Sequence, residues 1–350
     1  MELEAIIRPM RPEDATEWYD LRTQPGVIWG TLQLPSLSLD DVRTQCVADP
    51  NAPKLCAEVD GRVAGTIMLW VGKGAQRHTG YLGMMVHDAY QGRGLGKKLM
   101  AAMLDLADNW LLLERVVLEV FPDNERAIHL YRSFGFEQEG YSPAMARRDG
   151  QVAGHIRMAR LRGRAAAAVD ANVVEMLWPA ERAASPIAPV IKGAKPEYFR
   201  ALYTLYMHPL VRPWLGLLPS MQEDELRKEL CSLPRGHHLL VAEHEGQVIG
   251  AVHLVQHAAR RSHNGTIKSL AVHPAWQGRG AGTALLQAAV DLAEKWLGLT
   301  RLEMTVPAPA GTALALGEKL GFVQEAVLRA DLAYNGRLID TVVMGRVTQS

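Results

Sequence analysis

Gln91-Gly92-Arg93-Gly94-Leu95-Gly96 recurs in the same chain as Gln277-Gly278-Arg279-Gly280-Ala281-Gly282. Each copy follows a short apolar run, Met84-Met85-Val86-His87 in one case and Leu270-Ala271-Val272-His273 in the other. Each also opens a stretch of helical periodicity. Leu95, Leu99, Met103, Leu106 and Trp110 recur at steps of three and four, as do Ala281, Leu285, Ala289, Leu292 and Trp296, the spacing of one helix face. The unit is a strand, a glycine-rich turn and a helix, written twice. Glycines let the chain turn tightly and let another molecule approach the main chain. The first N–H groups of a helix lack internal partners and sit at the positive end of its dipole, so such a turn can hold a pyrophosphate with backbone donors alone. Arg93, Lys97 and Lys98 add positive charge to the first copy, and Arg279 to the second.

The repeat reaches beyond the loops. The shift of 186 that carries Gln91 to Gln277 also carries Trp110 to Trp296 and Gly135-Phe136 to Gly321-Phe322. Upstream, Val63-Ala64-Gly65 answers to Val248-Ile249-Gly250, and Leu34-Pro35-Ser36 to Leu218-Pro219-Ser220, with two single-residue gaps reconciling the whole. This is a duplicated domain; the period is far too long for a solenoid. A length of 350 residues also favours about two domains. We expect domains at 1–162 and 189–350, joined by a linker at 163–188 that is Ala-rich, then Pro-rich, and has no counterpart in either repeat. Within it, Val173, Val174, Met176, Leu177 and Trp178 are apolar enough to be expected to pack on a domain, making the halves one assembly.

Within the first repeat, strands are expected over 5–8, 55–59, 63–71, 81–87 and 115–121, with helices from Glu13, from about Leu39 and over 125–134. The stretch 24–36 reads as a Pro/Gly-punctuated connection, and Asp60-Gly61 and Asp149-Gly150 as hairpin turns. Lys plus Arg and Asp plus Glu both number 38, which argues against a nucleic-acid or membrane-surface protein. Residues 1–14 hold no signal-peptide core, and no apolar run approaches membrane-spanning length. Cys46, Cys56 and Cys231 form no C-x-x-C pair and suggest no disulfide framework. A cytoplasmic protein without a metal site is expected, since the 12 histidines are scattered.

The loop does not suit the commoner phosphate motifs. A Walker-type loop would need Gly at Gln91 and Ser or Thr at Lys98, and the dinucleotide fingerprint needs G-x-G-x-x-G. The pattern Q/R-x-x-G-x-G/A resembles the acyl-CoA pyrophosphate loop of the GCN5-related N-acetyltransferase (GNAT) superfamily, and does so in both repeats. The resemblance implies an α/β fold of two tandem domains, each a mixed, mostly antiparallel sheet with helices on both faces. It further implies that the strands flanking the loop helix splay apart, with the pantetheine arm in the gap. Acetyl-CoA is the implied cosubstrate, held by Met84, Met85, Val86, Gln91, Gly92, Arg93, Gly94, Leu95, Gly96, Lys97 and Asn124 in the first repeat. In the second, the implied residues are Leu270, Ala271, Val272, Gln277, Gly278, Arg279, Gly280, Ala281, Gly282 and Thr283.

Leu118-Glu119-Val120, Asn124, Ala127, Leu130-Tyr131 and Gly135-Phe136 are similar in type and register to the superfamily's catalytic segment. The resemblance assigns Tyr131 as the acid that serves the CoA thiolate and Asn124 as a ligand of the pantetheine amide. Glu119 is the candidate base for the acceptor amine; strand alternation puts it with Val117 and Phe121, neighbours expected to raise a carboxyl's pKa. His78, before the cofactor strand, is a rival base. In the second repeat Tyr131 becomes Gly317, Asn124 becomes Ala310 and Glu119 becomes Thr305. Glu303 keeps the strand parity of a substitute base, but that repeat is expected to bind or scaffold rather than catalyse. Thr31-Leu32-Gln33-Leu34-Pro35 resembles a segment of bacterial members, some of which acetylate free amino acids or small amines, with Trp29 and Leu32 candidates to line the acceptor pocket. A small-molecule amine acceptor is therefore expected, with no nucleic-acid or membrane partner, for a monomer or homodimer. A protein N-terminal or lysine acetyltransferase and a non-enzymatic acyl-CoA sensor are the alternatives.

Overall fold

The computed structural model describes residues 4–47, 49–167 and 185–348. They divide into two compact units, Met1–Ala168 and Val169–Ser350. The apolar run 173–178, expected to pack on a domain, lies outside the described residues.

In the first unit β1 (Ile6–Pro9) leads through a short 3-10 turn to α1 (Ala15–Arg22), α2 (Pro25–Gly30) and α3 (Leu39–Gln45). β2 (Lys54–Val59), β3 (Arg62–Val71) and β4 (Thr79–Val86) follow, then α4 (Leu95–Asp105), β5 (Arg115–Val120), α5 (Glu125–Ser133), β6 (Glu137–Arg148) and β7 (Gln151–Leu161). The strands pair in the order β1-β2-β3-β4-β5-β7-β6, antiparallel everywhere except at β4–β5. One face is covered by α4, whose Leu95, Leu99 and Met103 join the main core, and the other by α1 and α3 through Trp18, Leu21 and Val42. The chain leaves through α6 (Gly163–Ala167), in the stretch expected as linker, with Arg164 paired to Glu114.

The second unit repeats this plan. It contains β8 (Val190–Gly193), α7 (Phe199–Tyr206), α8 (Glu223–Cys231), β9 (His237–His244), β10 (Gln247–Gln256), β11 (Asn264–Val272) and α9 (Ala281–Asp291). β12 (Arg301–Pro307), α10 (Gly311–Lys319), β13 (Val323–Tyr334) and β14 (Arg337–Val347) complete it. Only β11–β12 is parallel; the other neighbours, β8–β9, β9–β10, β10–β11, β12–β14 and β13–β14, are antiparallel.

Two local expectations change. The stretch 24–36 contains a helix, α2, started by Pro25 at a position where a missing N–H costs nothing. Trp110 and Trp296 do not continue the apolar faces of α4 and α9. Both helices end in a π turn, in which Leu111 N–H donates to the Leu106 carbonyl and Leu297 N–H to that of Leu292, each at 3.0 Å. The wider turn breaks the 3.6-residue period and leaves Trp110 and Trp296 76% and 81% exposed.

Under each sheet lies a buried ion pair. Arg115 binds Glu139 through two guanidinium nitrogens at 2.5 and 2.7 Å, and Arg301 binds Glu325 the same way at 2.6 and 2.7 Å. Removing one partner strands the other charge in the interior. Arg115→Met is expected to destabilise the first unit by about 3–5 kcal/mol, read from its denaturant-unfolding transition, and adding Glu139→Leu should restore most of the loss. A single variant costing under about 1 kcal/mol would show that the pair is not buried in solution.

Candidate active site

The pairing of β4 with β5 covers only Thr79–Arg115, Gly80–Val116 and Tyr81–Val117. Both strands run on, so they diverge beyond that point, and the glycine loop stands at the end of β4. Gly92 and Gly94 have φ of 76° and 84°, Gly278 and Gly280 of 74° and 95°. These are left-handed values that glycine adopts without strain, and Gly94 and Gly280 are the N-caps of α4 and α9. A Cβ at Gly92 would meet nothing within 4 Å, so the main chain there faces open space. Arg93 and Lys97 are exposed and without an ion-pair partner among the described residues. Open backbone, a helix N-terminus and free cations suit a pyrophosphate.

The loop glutamines work differently from a ligand donor. Gln91 Nε2 donates to the Val86 carbonyl at 3.1 Å and to Asp88 Oδ1 at 3.0 Å, and Gln277 Nε2 to the Val272 carbonyl at 2.9 Å. Their side chains brace the loop against the preceding strand. Asp88 also accepts the Gly26 N–H, at the start of α2, at 2.7 Å. A Cβ on Gly26 would lie 2.5 Å from Asp88 Oδ1, so glycine is needed for that approach. Met84 and Val86 turn toward the core under α4, while Met85 turns toward α1; what the three share is backbone along the open edge of β4.

Tyr131, on α5, is 7% exposed, packs 6.0 Å from the Phe136 ring, and its hydroxyl bonds to no described residue. Burial pushes its phenol up to about 12, so the hydroxyl keeps its proton through the neutral range. Asn124 caps α5, its Oδ1 accepting from Ala127 N–H at 3.2 Å. Its Nδ2 lies where a Cβ on Gly30 would come within 3.4 Å, which brings the end of α2 against it.

Glu119 is not among apolar groups. Its Oε1 lies 3.3 Å from Arg157 Nη1 and its Oε2 3.4 Å from His155 Nδ1. Both partners are on β7, which pairs with β5, and strand alternation within β5 gives no sign of them. Nearby, Arg148 stacks between the Trp29 and Phe121 rings, 4.1 and 4.5 Å from their centroids, and holds Asp123 at 2.6 Å. That contact keeps the Asp123 carboxyl below its usual range. Sequence reading named Trp29 but missed Arg148, His155 and Arg157. The shift of 186 carries them to Tyr334, Thr341 and Val343, and extending the repeat comparison that far would have marked them.

The rival base His78 sits at the opposite end of β4 from the glycine loop. It is buried, and its carbonyl accepts the Glu114 and Arg115 N–H groups, as that of His263 accepts those of Thr300 and Arg301. The same backbone bonds thus join the start of β4 to β5 and the start of β11 to β12. Glu303 is drawn into the buried pair of its own repeat, 3.0 Å from Arg301 Nη2.

The second loop is also tied by its own chain. Ile187 N–H donates to the Arg279 carbonyl and Arg279 Nε to the Ser185 carbonyl, both at 3.0 Å, and the guanidinium lies 4.7 Å from the Trp276 ring centroid. A Cβ on Gly280 would reach the Ile187 carbonyl at 3.7 Å. Thr283 follows on α9, half-buried. Thr305, Ala310 and Gly317 leave that repeat without a base, amide or phenol at the positions of Glu119, Asn124 and Tyr131.

Among the described residues, no helix is long and apolar enough to cross a membrane, and no group of three or more His, Cys, Asp or Glu is placed to hold a metal. The family described as Acetyltransferase (GNAT) matches the chain twice, at residues 15–136 and 199–322. The L-amino acid N-acetyltransferase AaaT of Escherichia coli (strain K12) is 35% identical over 161 residues, 45% of this chain and 99% of that protein. The spermidine N(1)-acetyltransferase of the same strain is 28% identical over 137 residues, 38% of this chain and 73% of that protein. A GNAT-family acetyltransferase structure from Streptococcus pneumoniae overlays with a TM-score of 0.42 at 25% identity, covering 45% of this chain and all of that one.

The burial of Tyr131 has a spectroscopic consequence. An exposed tyrosine ionises near pH 10, so Tyr131→Phe and the parent chain should differ in tyrosinate absorbance only toward about 12. A missing step near pH 10 in the variant would place the hydroxyl in water.

Proposed function

That the chain belongs to the GNAT acetyltransferase family is the premise from which we propose a division of labour: the first repeat transfers an acetyl group from acetyl-CoA to a small primary amine, and the second does not. The observation that carries this reading is the loss, at matched positions on matched elements, of Tyr131, Asn124 and Glu119 to Gly317, Ala310 and Thr305.

Acetyl transfer to an ammonium removes two protons from nitrogen; one ends on the CoA sulfur and the other in solvent. In this reading Glu119 takes the first proton, which frees the nitrogen lone pair to attack the thioester carbon. As the carbon–sulfur bond breaks, the Tyr131 hydroxyl, still protonated at neutral pH, donates to the sulfur. The pyrophosphate rests on the backbone of Gly92 to Gly96 with Arg93 and Lys97 beside it. The pantetheine arm follows the edge of β4 where β5 has left it, and Asn124 Nδ2 meets one of its amide carbonyls.

For the acceptor we favour a free amino acid. The carboxylates Glu119 and Asp123 are already matched by guanidiniums, those of Arg157 and Arg148. Such a wall suits a substrate that carries a carboxylate beside its amine better than a polyamine, whose charges are all positive. The name of the E. coli amino-acid relative points the same way.

Release of free thiol from acetyl-CoA across a panel of amino acids, polyamines and peptides tests the reading. Turnover on peptides alone would make this a protein acetyltransferase, and binding of acetyl-CoA with no turnover on any amine would make it a sensor.

Two substitutions separate the repeats. Tyr131→Phe should lower kcat by about 10² to 10⁴, roughly 3–5 kcal/mol in barrier, while CoA affinity in calorimetry stays within a few-fold. Gly280→Val should leave the rate per chain largely intact. Activity that survives the first and is lost with the second would move the chemistry to the second repeat.

Both glycine loops have the backbone for CoA, so two binding sites per chain are proposed. The second should be the weaker, because its ligand has to displace the tie from Ser185 and Ile187 to Arg279. Two calorimetric classes are expected, and Gly94→Val should remove the tighter one. A single class that survives Gly94→Val would overturn this order.

A further inference from the structure

Because the chain holds two copies of one fold, it contains its own control for which polar residues are structural. Three ion pairs are kept in both copies. Arg115–Glu139 answers to Arg301–Glu325, Asp108–Arg160 to Glu294–Arg346, and Arg8–Glu58 to Lys192–Glu243. These hold strands, helix ends and sheet edges in both copies. Glu119, Asn124 and Tyr131 behave in the opposite way, and two residues beside Glu119 that have no role so far share their pattern. His155 becomes Thr341 and Arg157 becomes Val343.

His155 is costly for a packing residue. It is 3% exposed, its ring meets Phe121 edge-on at 4.4 Å, and its Nε2 is buried with no hydrogen-bond partner among the described residues. A buried unpartnered polar atom carries a desolvation cost, which an apolar side chain in this place would not incur. What the imidazole provides is the other nitrogen. Nδ1 faces Glu119 Oε2 at 3.4 Å, while Arg157 Nη1 faces Oε1 at 3.3 Å and Arg157 Nε donates to Ser142 Oγ at 3.0 Å. The hydrogen-bond network assigns the proton to Nδ1, where it has an acceptor, and leaves Nε2 bare. In the second repeat Thr341 instead donates to Asp331 at 2.9 Å, and the position of Glu119 is Thr305.

We propose that His155 is a positioning residue for acetyl transfer: its Nδ1–H, with Arg157, fixes the Glu119 carboxylate in the orientation that takes the proton from the acceptor ammonium. The inference rests on the assignment of Glu119 as base made above. In the step concerned, an N–H bond of the ammonium breaks and an O–H bond forms on Glu119; His155 keeps its own proton. The arrangement has a physical logic. A second cation on Glu119 would stabilise the carboxylate further and weaken it as a base. An imidazole N–H orients the group at less cost to its basicity. The pair also accounts for the joint loss of Glu119, His155 and Arg157 from the second repeat, since two orienting groups have no use once the carboxylate is gone.

The test has two arms on the full chain. Imidazole proton–nitrogen NMR needs no acceptor at all. His155, assigned by the signal lost in His155→Asn, should appear as the Nδ1–H tautomer, and Glu119→Gln should shift its ring nitrogens. An Nε2–H tautomer, or His155 signals that ignore Glu119→Gln, would overturn the inference whatever the acceptor proves to be. In turnover, His155→Leu should lower kcat roughly 10- to 100-fold, the scale of a misplaced catalytic group, with KM for acetyl-CoA within two-fold. His155→Asn, which keeps an N–H donor near the Nδ1 position, should recover most of that rate. Equal rates for the parent, the Leu variant and the Asn variant would overturn the proposal. If His155→Leu unfolds, the Asn variant and the NMR arm decide. A parent chain that binds acetyl-CoA and acetylates no amine would instead overturn the catalytic reading beneath it.

Discussion

Strands β4 and β5 are parallel neighbours for three residue pairs and then part. A parallel pair needs a crossover between its strands, and here the crossover is α4, launched from the glycine loop at the end of β4. The parting exposes backbone on the inner edge of β4, places the N-terminus of α4 at the mouth of the gap, and sets α5, with Tyr131 and Asn124, beyond β5. Antiparallel β7 next to β5 then brings His155 and Arg157 to Glu119. β11 and β12 part in the same manner after four pairs. The architecture around the glycine loop is thus common to both repeats, and the side chains at the positions of Glu119, Asn124 and Tyr131 are a separate layer in which the two differ.

Much of this frame was legible from residues alone because it rests on local rules. Glycines before a helix, Asp-Gly hairpin turns, and a strand entering a period-3.6 helix each leave a mark within a few positions. The duplication made those marks redundant. Features that depend on partners far along the chain were not legible. Glu119 reads as a carboxylate among apolar neighbours until β7 supplies an arginine and a histidine. Gln91 reads as a ligand of the phosphate until its amide is found bracing Val86 and Asp88. Trp110 reads as the next step of an apolar stripe until one wide turn rotates it into solvent, and no residue type announces a π turn. The helix α2 was hidden by its own punctuation, since Pro25 and Gly26 mark its start rather than a loop.

The two glycine loops show how little of a binding site lies in its motif. Their backbone angles agree closely, yet the second has its arginine bonded to Ser185 and stacked on Trp276, and a neighbouring main chain beside Gly280. A loop that is geometrically ready and chemically engaged elsewhere reads identically in sequence to one that is free. Discriminating them required the course of a segment about ninety residues upstream, which no local rule describes.

Asp88 carries a consequence of another kind. One carboxylate accepts the first-turn N–H of α2 through Gly26 and the amide of Gln91 in the cofactor loop. The helix that bears Trp29 and the loop that would bear a pyrophosphate therefore hang from a common hinge pin. A ligand that displaced one of them would have to stretch or break a bond to the carboxylate that also holds the other. In the second repeat Pro274 occupies this position, without a side-chain acceptor, so a ligand on that loop has no such lever to pull.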